Sequence, residues 1–202
     1  MNMIRHAAIF LIVILAITLS GIAMAKDDVC SVVALMGKAV IEREKKDIEA
    51  KLRDVILLKD TISTKEASKV KMLFADDSVL SMGEKSKVNI KEFIYSKEKG
   101  GKSTFNLIEG KLRTVVGKTQ FEVHTPTAVA AARGTIILFW TGVMDGRVFT
   151  AIICLEGEAI VTSADPSITG SVRLLHGMMM IVFQGEPLPT PVPATHADIE
   201  SI

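Results

Sequence analysis

The sequence predicts an all-β protein, either a compact β-sandwich or a short β-solenoid of many short strands. Three observations carry that expectation. Apolar segments recur, separated at intervals of about ten residues by turns rich in Gly, Asp, Ser or Lys. Several segments alternate strictly: Val70, Met72 and Phe74 fall on one face, Lys69 and Lys71 on the other. Leu80 with Met82, Val88 with Ile90, Phe105 with Leu107 and Phe121 with Val123 repeat the pattern, and a period of two with polar partners outside marks half-buried strands. Finally, 202 residues with 49% apolar and only 5% aromatic side chains suffice for one domain whose core rests on Val, Ile, Leu and Met.

The chain opens on a leader. Arg5 supplies a positive start, and Ala7 to Leu19 is apolar apart from Thr18. Ser20 and Gly21 loosen the helix before Ala23-Met24-Ala25, a small-x-small cleavage site ahead of Lys26. This is the layout of a cleaved secretory signal peptide over 1–25, with an uncleaved membrane anchor as the rival. Asp27-Asp28-Val29 before Cys30 does not suit a lipidated cysteine. The expected site is therefore periplasmic or secreted. Membrane contact would come only through the leader, if it stays uncleaved.

Export changes how Cys30 and Cys154 read. In an oxidising compartment they could pair as a disulfide. The alternative has Cys154 as a small buried hydrophobe and Cys30 loose in a frayed end. A nucleophilic Cys154 is not expected, because its sequence neighbours are apolar and burial raises a thiol pKa. The net charge of +1 gives no reason to expect nucleic acid or an anionic membrane surface as partner. Without Arg5, Lys+Arg falls from 24 to 23 and equals Asp+Glu.

The predicted domain spans 26–185. Within it, Glu42 to Leu58 is charge-rich, with Ile48, Leu52, Val55 and Ile56 near helical spacing. Strand, loop and strand is the preferred reading there, in keeping with the rest of the chain. Ile136–Trp140 and Val148–Leu155 are apolar on both faces and should be central or doubly covered. Glycines at 37, 110, 157 and 177 recur between strands, where the chain can turn back without a Cβ clash.

The most distinctive stretch is Thr125-Pro126-Thr127-Ala128-Val129-Ala130-Ala131-Ala132-Arg133-Gly134-Thr135. It resembles the T-P-x-A-x-x-x-x-R-G-T signature of the FecR domain, an extracytoplasmic all-β module. Gly37-Lys38-Ala39-Val40, followed by Arg43, looks like that domain's opening strand. Leu58 to Thr64, with Asp60 and Thr64, is similar to its G-D-x-I-x-T segment, with Lys59 in place of glycine. Phe74-Ala75-Asp76-Asp77-Ser78-Val79-Leu80 resembles F-x-D-G-S-x-L, with Asp77 where the family has glycine; Asp tolerates positive φ, so a tight hairpin still fits. Leu107 to Leu112 around Gly110 looks like L-x-x-G-x-L, Leu155 to Val161 around Gly157 resembles G-x-V-x-V, and Leu174 to Val182 matches the last strand. The resemblance makes Asp60, Thr64, Phe74, Asp76, Ser78, Gly110, Thr125, Pro126, Arg133, Gly134, Thr135 and Gly157 structural residues of the fold.

Few chemical sites are in view. Arg133 beside Gly134 could hold a carboxylate or phosphate bidentately, but a fold-hallmark role, pinning backbone carbonyls or a carboxylate, is preferred. His124, His176 and His196 stand at no metal-ligand spacing. Asp76-Asp77-Ser78 lacks the further oxygens of a calcium loop. Met178-Met179-Met180 reads as strand core. No Gly-rich phosphate loop or nucleophile elbow appears, so neither enzyme nor cofactor is expected. Pro187, Pro189, Pro191 and Pro193 alternate with other residues, which predicts a flexible, disordered tail over 186–202.

FecR-type regulators carry a cytoplasmic segment ahead of their membrane helix. Here the apolar run starts directly after Arg5 and His6, so a free-standing exported form is expected. The resemblance then implies a non-catalytic interaction or scaffolding module that binds an envelope protein or a glycan. The alternative is a periplasmic sensory component acting through a separate membrane regulator.

Overall fold

The structure, a computed structural model, describes residues 28–96, 98, 100–117 and 119–201. The signal peptide expected at 1–25 lies outside the described residues. Strands β1 (Asp28–Met36), β2 (Ala39–Arg43), β3 (Lys46–Glu49) and β4 (Val55–Leu57) come first. Next are β5 (Thr61–Thr64), β6 (Lys69–Phe74), β7 (Val79–Met82), β8 (Lys87–Ser96) and the long β9 (Gly100–Val115). The second half runs through β10 (Gln120–His124), β11 (Ala128–Ala132), β12 (Ile136–Met144) and β13 (Arg147–Glu156). It ends with β14 (Glu158–Ser163), β15 (Ser171–Leu175), β16 (Met178–Phe183), β17 (Val192–Pro193) and a short helix, α1 (His196–Ser201).

The all-β expectation holds, and the ladders sort the strands into two open sheets. The front sheet runs β4-β1-β6-β7-β9-β12-β13-β16-β17. The back sheet runs β3-β2-β5-β8-β9-β10-β11-β14-β15. Among the described strands only β9 and β10 pair in parallel. Strand β9 is common to both sheets: its first part pairs with β8 and β10, and residues 110–115 pair with β7 and β12. Every strand of the front sheet is thereby tied by backbone bonds to the back one.

Alternation sets what lies between the sheets. In β6, Val70, Met72 and Phe74 are buried while Lys69, Lys71 and Leu73 point outward. Phe74 of the front sheet packs edge-on against Phe105 of the back sheet with centroids 5.1 Å apart, and Phe105 meets Phe121 at 5.0 Å. Around these rings the core is aliphatic, as composition implied.

The helix-like spacing of Glu42 to Leu58 resolves into β2, β3 and β4. Glu44 and Lys45 both take positive φ, 51° and 64°, which makes a two-residue hairpin turn of the primed type and sets Ile41 opposite Ile48. Cross-strand pairing outweighs the local helical pattern.

Two expectations need correction. The tail is not disordered over its described part: β17 pairs with β16, and Thr195 caps α1 through a reciprocal bond with Asp198. The physical cause is the second face of β12, β13 and β16. Leu138, Ile153 and Met179 form a separate buried cluster there, and Ala194 and Ile199 of the tail pack on it. The double cover expected for Val148–Leu155 is thus supplied by the chain's own end.

The cysteines are both free and both buried. Cys30 is no frayed end; it sits in β1 between Ile56 and Phe74. It is also five strand positions from Cys154 in β13, on the order of 24 Å at ladder spacing, which no disulfide spans. Burial pushes both thiols above their ordinary range.

Candidate functional site

The family-motif side chains come to rest in separate polar clusters that hold turns. Asp60, only 2% exposed, precedes β5. Its carboxylate accepts from Arg43 Nε at 3.0 Å, from Arg43 Nη2 at 2.6 Å and from the Leu57 amide at 2.8 Å. Arg43 also donates to the Val55 carbonyl, so β2 and β4 are clasped by one guanidinium. Lys59, where the family has glycine, takes φ +71°. The position therefore keeps the left-handed conformation even with a side chain that disfavours it.

Thr64 and Gly110 meet through Ser86. The Thr64 hydroxyl donates to the Gly83 carbonyl at 2.6 Å and accepts from the Ser86 amide at 3.0 Å. Ser86 Oγ in turn accepts from the Lys111 amide at 2.8 Å, at the bend where β9 changes sheets.

In the β6–β7 hairpin, Asp76 accepts from the Ser78 amide and hydroxyl, at 3.1 and 2.9 Å, and from Thr119 Oγ1. Ser78 Oγ accepts from the Gly117 amide at 2.9 Å. Asp77 has φ +66°, which is the positive-φ hairpin turn expected of it. Phe74 is the core ring described above.

Thr125 opens β11 by capping its own turn, donating to the Ala128 carbonyl and accepting from the Ala128 amide. Behind it Thr127, Thr150 and Thr141 form a buried hydroxyl chain, with Thr127 to Thr150 at 2.8 Å and Thr150 to Thr125 at 2.9 Å. Pro126 is exposed at the rim of a small cavity of about 260 Å³ with Ser163, Asp165 and Gln184.

At the other end of β11, Arg133 is exposed and has no hydrogen bond or ion pair among the described residues. The pinning expected of it is absent there. Gly134 (φ +62°) makes the turn alone, and Gly157 packs on Thr135, where an added Cβ would lie 2.6 Å from Thr135 Cγ2. The buried Thr135 hydroxyl has no partner among the described residues. His124 pairs with Glu122 at 3.3 Å on the outer face of the back sheet, far in register from His176 and His196. Among the described residues no group of three His, Cys, Asp or Glu is placed to hold a metal ion, and no helix is long and apolar enough to cross a membrane.

One surface feature escaped sequence reasoning. On the outer face of the front sheet, Lys71, Ser81 and Arg113 stand abreast across β6, β7 and β9. Lys69 and Lys111 flank Gly83 in the next row. Ala34, Leu35 and Met36 of β1 complete a cavity of about 320 Å³. None of Lys69, Lys71, Lys111 and Arg113 forms an ion pair with a carboxylate among the described residues, whereas Lys85, Lys87, Lys102, Arg147 and Arg173 all do. Lys69 and Lys71 were legible as outward-facing; their meeting with Lys111 and Arg113 needed the register.

The fold is similar to two crystal structures, at 1.65 and 2.50 Å resolution, of a "putative anti-sigma factor" from Parabacteroides distasonis ATCC 8503. Each has a TM-score of 0.55 at 14% identity over 70% of this chain, a likeness of fold alone. The chain spans 63% and 62% of the length of those two structures. No curated protein matches it. The family model described as FecR protein matches residues 60–160, half of the 202-residue chain, from Asp60 through the Thr125–Thr135 peptide to Ile160. The chain belongs to the FecR protein family.

Proposed function

We propose that this protein is a FecR-type signalling component of the cell envelope that works by binding and not by catalysis. It is exported by its leader, is periplasmic or secreted, and engages an envelope protein; a glycan is the competing target. No cofactor and no nucleic acid enter the reading.

One observation carries it. The polar groups of the family motif are turned inward onto the fold's own turns: Asp60 onto Arg43 and Leu57, Asp76 onto Ser78 and Thr119, Thr125 onto Ala128. A hydrolase or transferase needs a nucleophile or base aimed at a substrate, and these groups are aimed at the fold's own backbone and side chains. A cluster of four basic side chains without carboxylate partners among the described residues, Lys69, Lys71, Lys111 and Arg113, lies instead on an open sheet face, where a partner can reach it. Family membership and the fold shared with the Parabacteroides distasonis protein favour a regulatory partner over a purely structural one.

The test is in two parts. The mature chain, 26–202, is immobilised and challenged with envelope extract; a discrete protein should be retained and released by free mature chain. Deletion of the gene should then change a coherent set of transcripts. Retention of glycan alone, with transcripts unmoved, would sink the signalling reading.

A further inference from the structure

We propose that the groove along β7, on the outer face of the front sheet, is the docking site for an acidic peptide segment of a partner protein, one that carries an apolar side chain between its carboxylates. The inference rests on the binding function proposed above and names its surface.

The groove is built by size and charge. Strand β7 presents Ser81 outward and Gly83 follows directly after it, both short, between the longer side chains of β6 and β9. Lys69 and Lys71 form one wall, Lys111 and Arg113 the other. Two ladder spacings separate those walls, roughly 10 Å, which is wide enough for a peptide backbone with its side chains. Ala34 and Met36 of β1, both exposed and abreast of Lys71 and Lys69, add apolar surface. A row of cations with no carboxylate partner around a partly apolar trough calls for a ligand that is both anionic and apolar. A bare anion would leave the trough unfilled, and a neutral apolar ligand would desolvate the cations without compensation.

The same face shows what fits it. Helix α1 is packed on the neighbouring strands β12, β13 and β16, with Ile199 set on Leu138, Ile153 and Met179. Asp198 and Glu200 flank that isoleucine. At the boundary with the groove, Lys111 Nζ donates to the Ser201 carbonyl while standing 5.1 Å from the centre of the Trp140 ring. Glu84 and Glu200 close the groove at this end, so its positive part lies toward Lys71 and Arg113. A peptide segment with an aliphatic residue turned inward is therefore already held on this sheet face, by Ile199 and by a bond from Lys111 to backbone, while Asp198 and Glu200 bond within the tail to Thr195 and His196. The groove extends the same surface over the strands the tail leaves bare. Continuity with that contact, together with the charge, selects an acidic peptide over a glycan or a lipid surface.

The experiment uses the mature chain, 26–202, and three probes: a fluorescein-labelled synthetic peptide built on an Asp-Ile-Glu pattern, an oligogalacturonate and phosphatidylglycerol vesicles. The peptide should bind saturably, shift the amide resonances of Ser81 and Gly83, and weaken as salt rises. Lys69→Glu combined with Lys71→Glu should lower peptide affinity tenfold or more. Ser81→Phe keeps every charge but fills the trough, and should lower it comparably. Both sites are on the surface, and unchanged thermal unfolding confirms that either variant has folded. Equal affinity for oligogalacturonate, binding to the vesicles in place of the peptide, or peptide binding that Ser81→Phe leaves intact would each overturn the proposal. If the envelope protein retained by wild-type chain is retained equally by the Lys69/Lys71 variant, the groove assignment fails while the binding function stands.

Discussion

Gly110 lies directly against Ser86. A β-carbon on residue 110 would fall 2.3 Å from Ser86 Oγ, 2.5 Å from its Cα and 2.6 Å from the Lys85 carbonyl oxygen, and φ at this glycine is +87°. The contact sits where β9 leaves the back sheet for the front one, and through Ser86 it reaches Thr64. The strand common to both sheets can bend here because one residue has no side chain.

Gly110→Ala should therefore cost about 3 kcal/mol, the sum of a left-handed backbone and a backbone clash that no rotamer relieves. Urea unfolding of the mature chain measures it. A loss under about 1 kcal/mol would mean that β8 can move away from β9 without cost, and that the bend is not set at this residue.

The pair formed by Arg43 and Asp60 joins a carboxylate that is 2% exposed to a guanidinium that is 22% exposed. Arg43→Met leaves that carboxylate buried and short of partners, and should cost about 2–3 kcal/mol, less than a fully buried pair because water reaches the arginine. Asp60→Asn should cost less, since an amide oxygen can still accept from the Leu57 amide. The double variant should lie closer to wild type than the sum of the two singles. Strict additivity across the cycle would show that the two side chains act independently.

Lys59 and Asp77 occupy family glycine positions at φ +71° and +66°. Each pays for a left-handed backbone with a β-carbon in place. Lys59→Gly and Asp77→Gly should each stabilise by about 0.5 kcal/mol, the relief of strain less the greater freedom glycine has in the unfolded chain. A rise in the urea midpoint at constant slope is the expected reading. A fall for both would show that the two side chains make contributions larger than the strain.

How far the sequence revealed this molecule depended on range. Val70, Met72 and Phe74 announced β6 because alternation is local, and Asp77 announced its hairpin because turn chemistry is local too. Glu44-Lys45 hid a primed turn, since neither residue is one that such turns favour, and only the pairing of Ile41 with Ile48 imposes it. Thr141 and Thr150 meet through the β12–β13 register, and Thr127 joins them from the segment before β11, a contact that no local pattern announces. Arg133 reads as a pin because its motif resembles a fold hallmark, but its side chain is exposed and has no partner among the described residues. The apolar second face of Val148–Leu155 signalled a missing cover. That the cover would be the proline-rich end was beyond sequence reasoning, because prolines argue against packing and the pairing with β16 needs only two residues.

That cover should be sensitive to acid. Asp198 accepts from Thr195 Oγ1 at 2.6 Å and from the Thr195 amide at 2.8 Å, and these bonds hold its carboxyl below the ordinary value of 3.8. A lowered folded pKa means the ionised form is the one the docked helix prefers. The contribution is complete above the unfolded pKa and disappears as pH falls through the lower, folded value. The tail should accordingly be held most firmly above about pH 4 and open more often below it, exposing Leu138, Ile153 and Met179 more often while the sheets persist. Amide exchange of residues 194–201, followed against that of β13, measures this directly. Thr195→Ala removes the side-chain bond and should loosen the tail already at neutral pH, with Ile199→Asp doing so more strongly. Exchange in the tail that tracks β13 at every pH would show that the two unfold as one unit and that the cap does not govern docking.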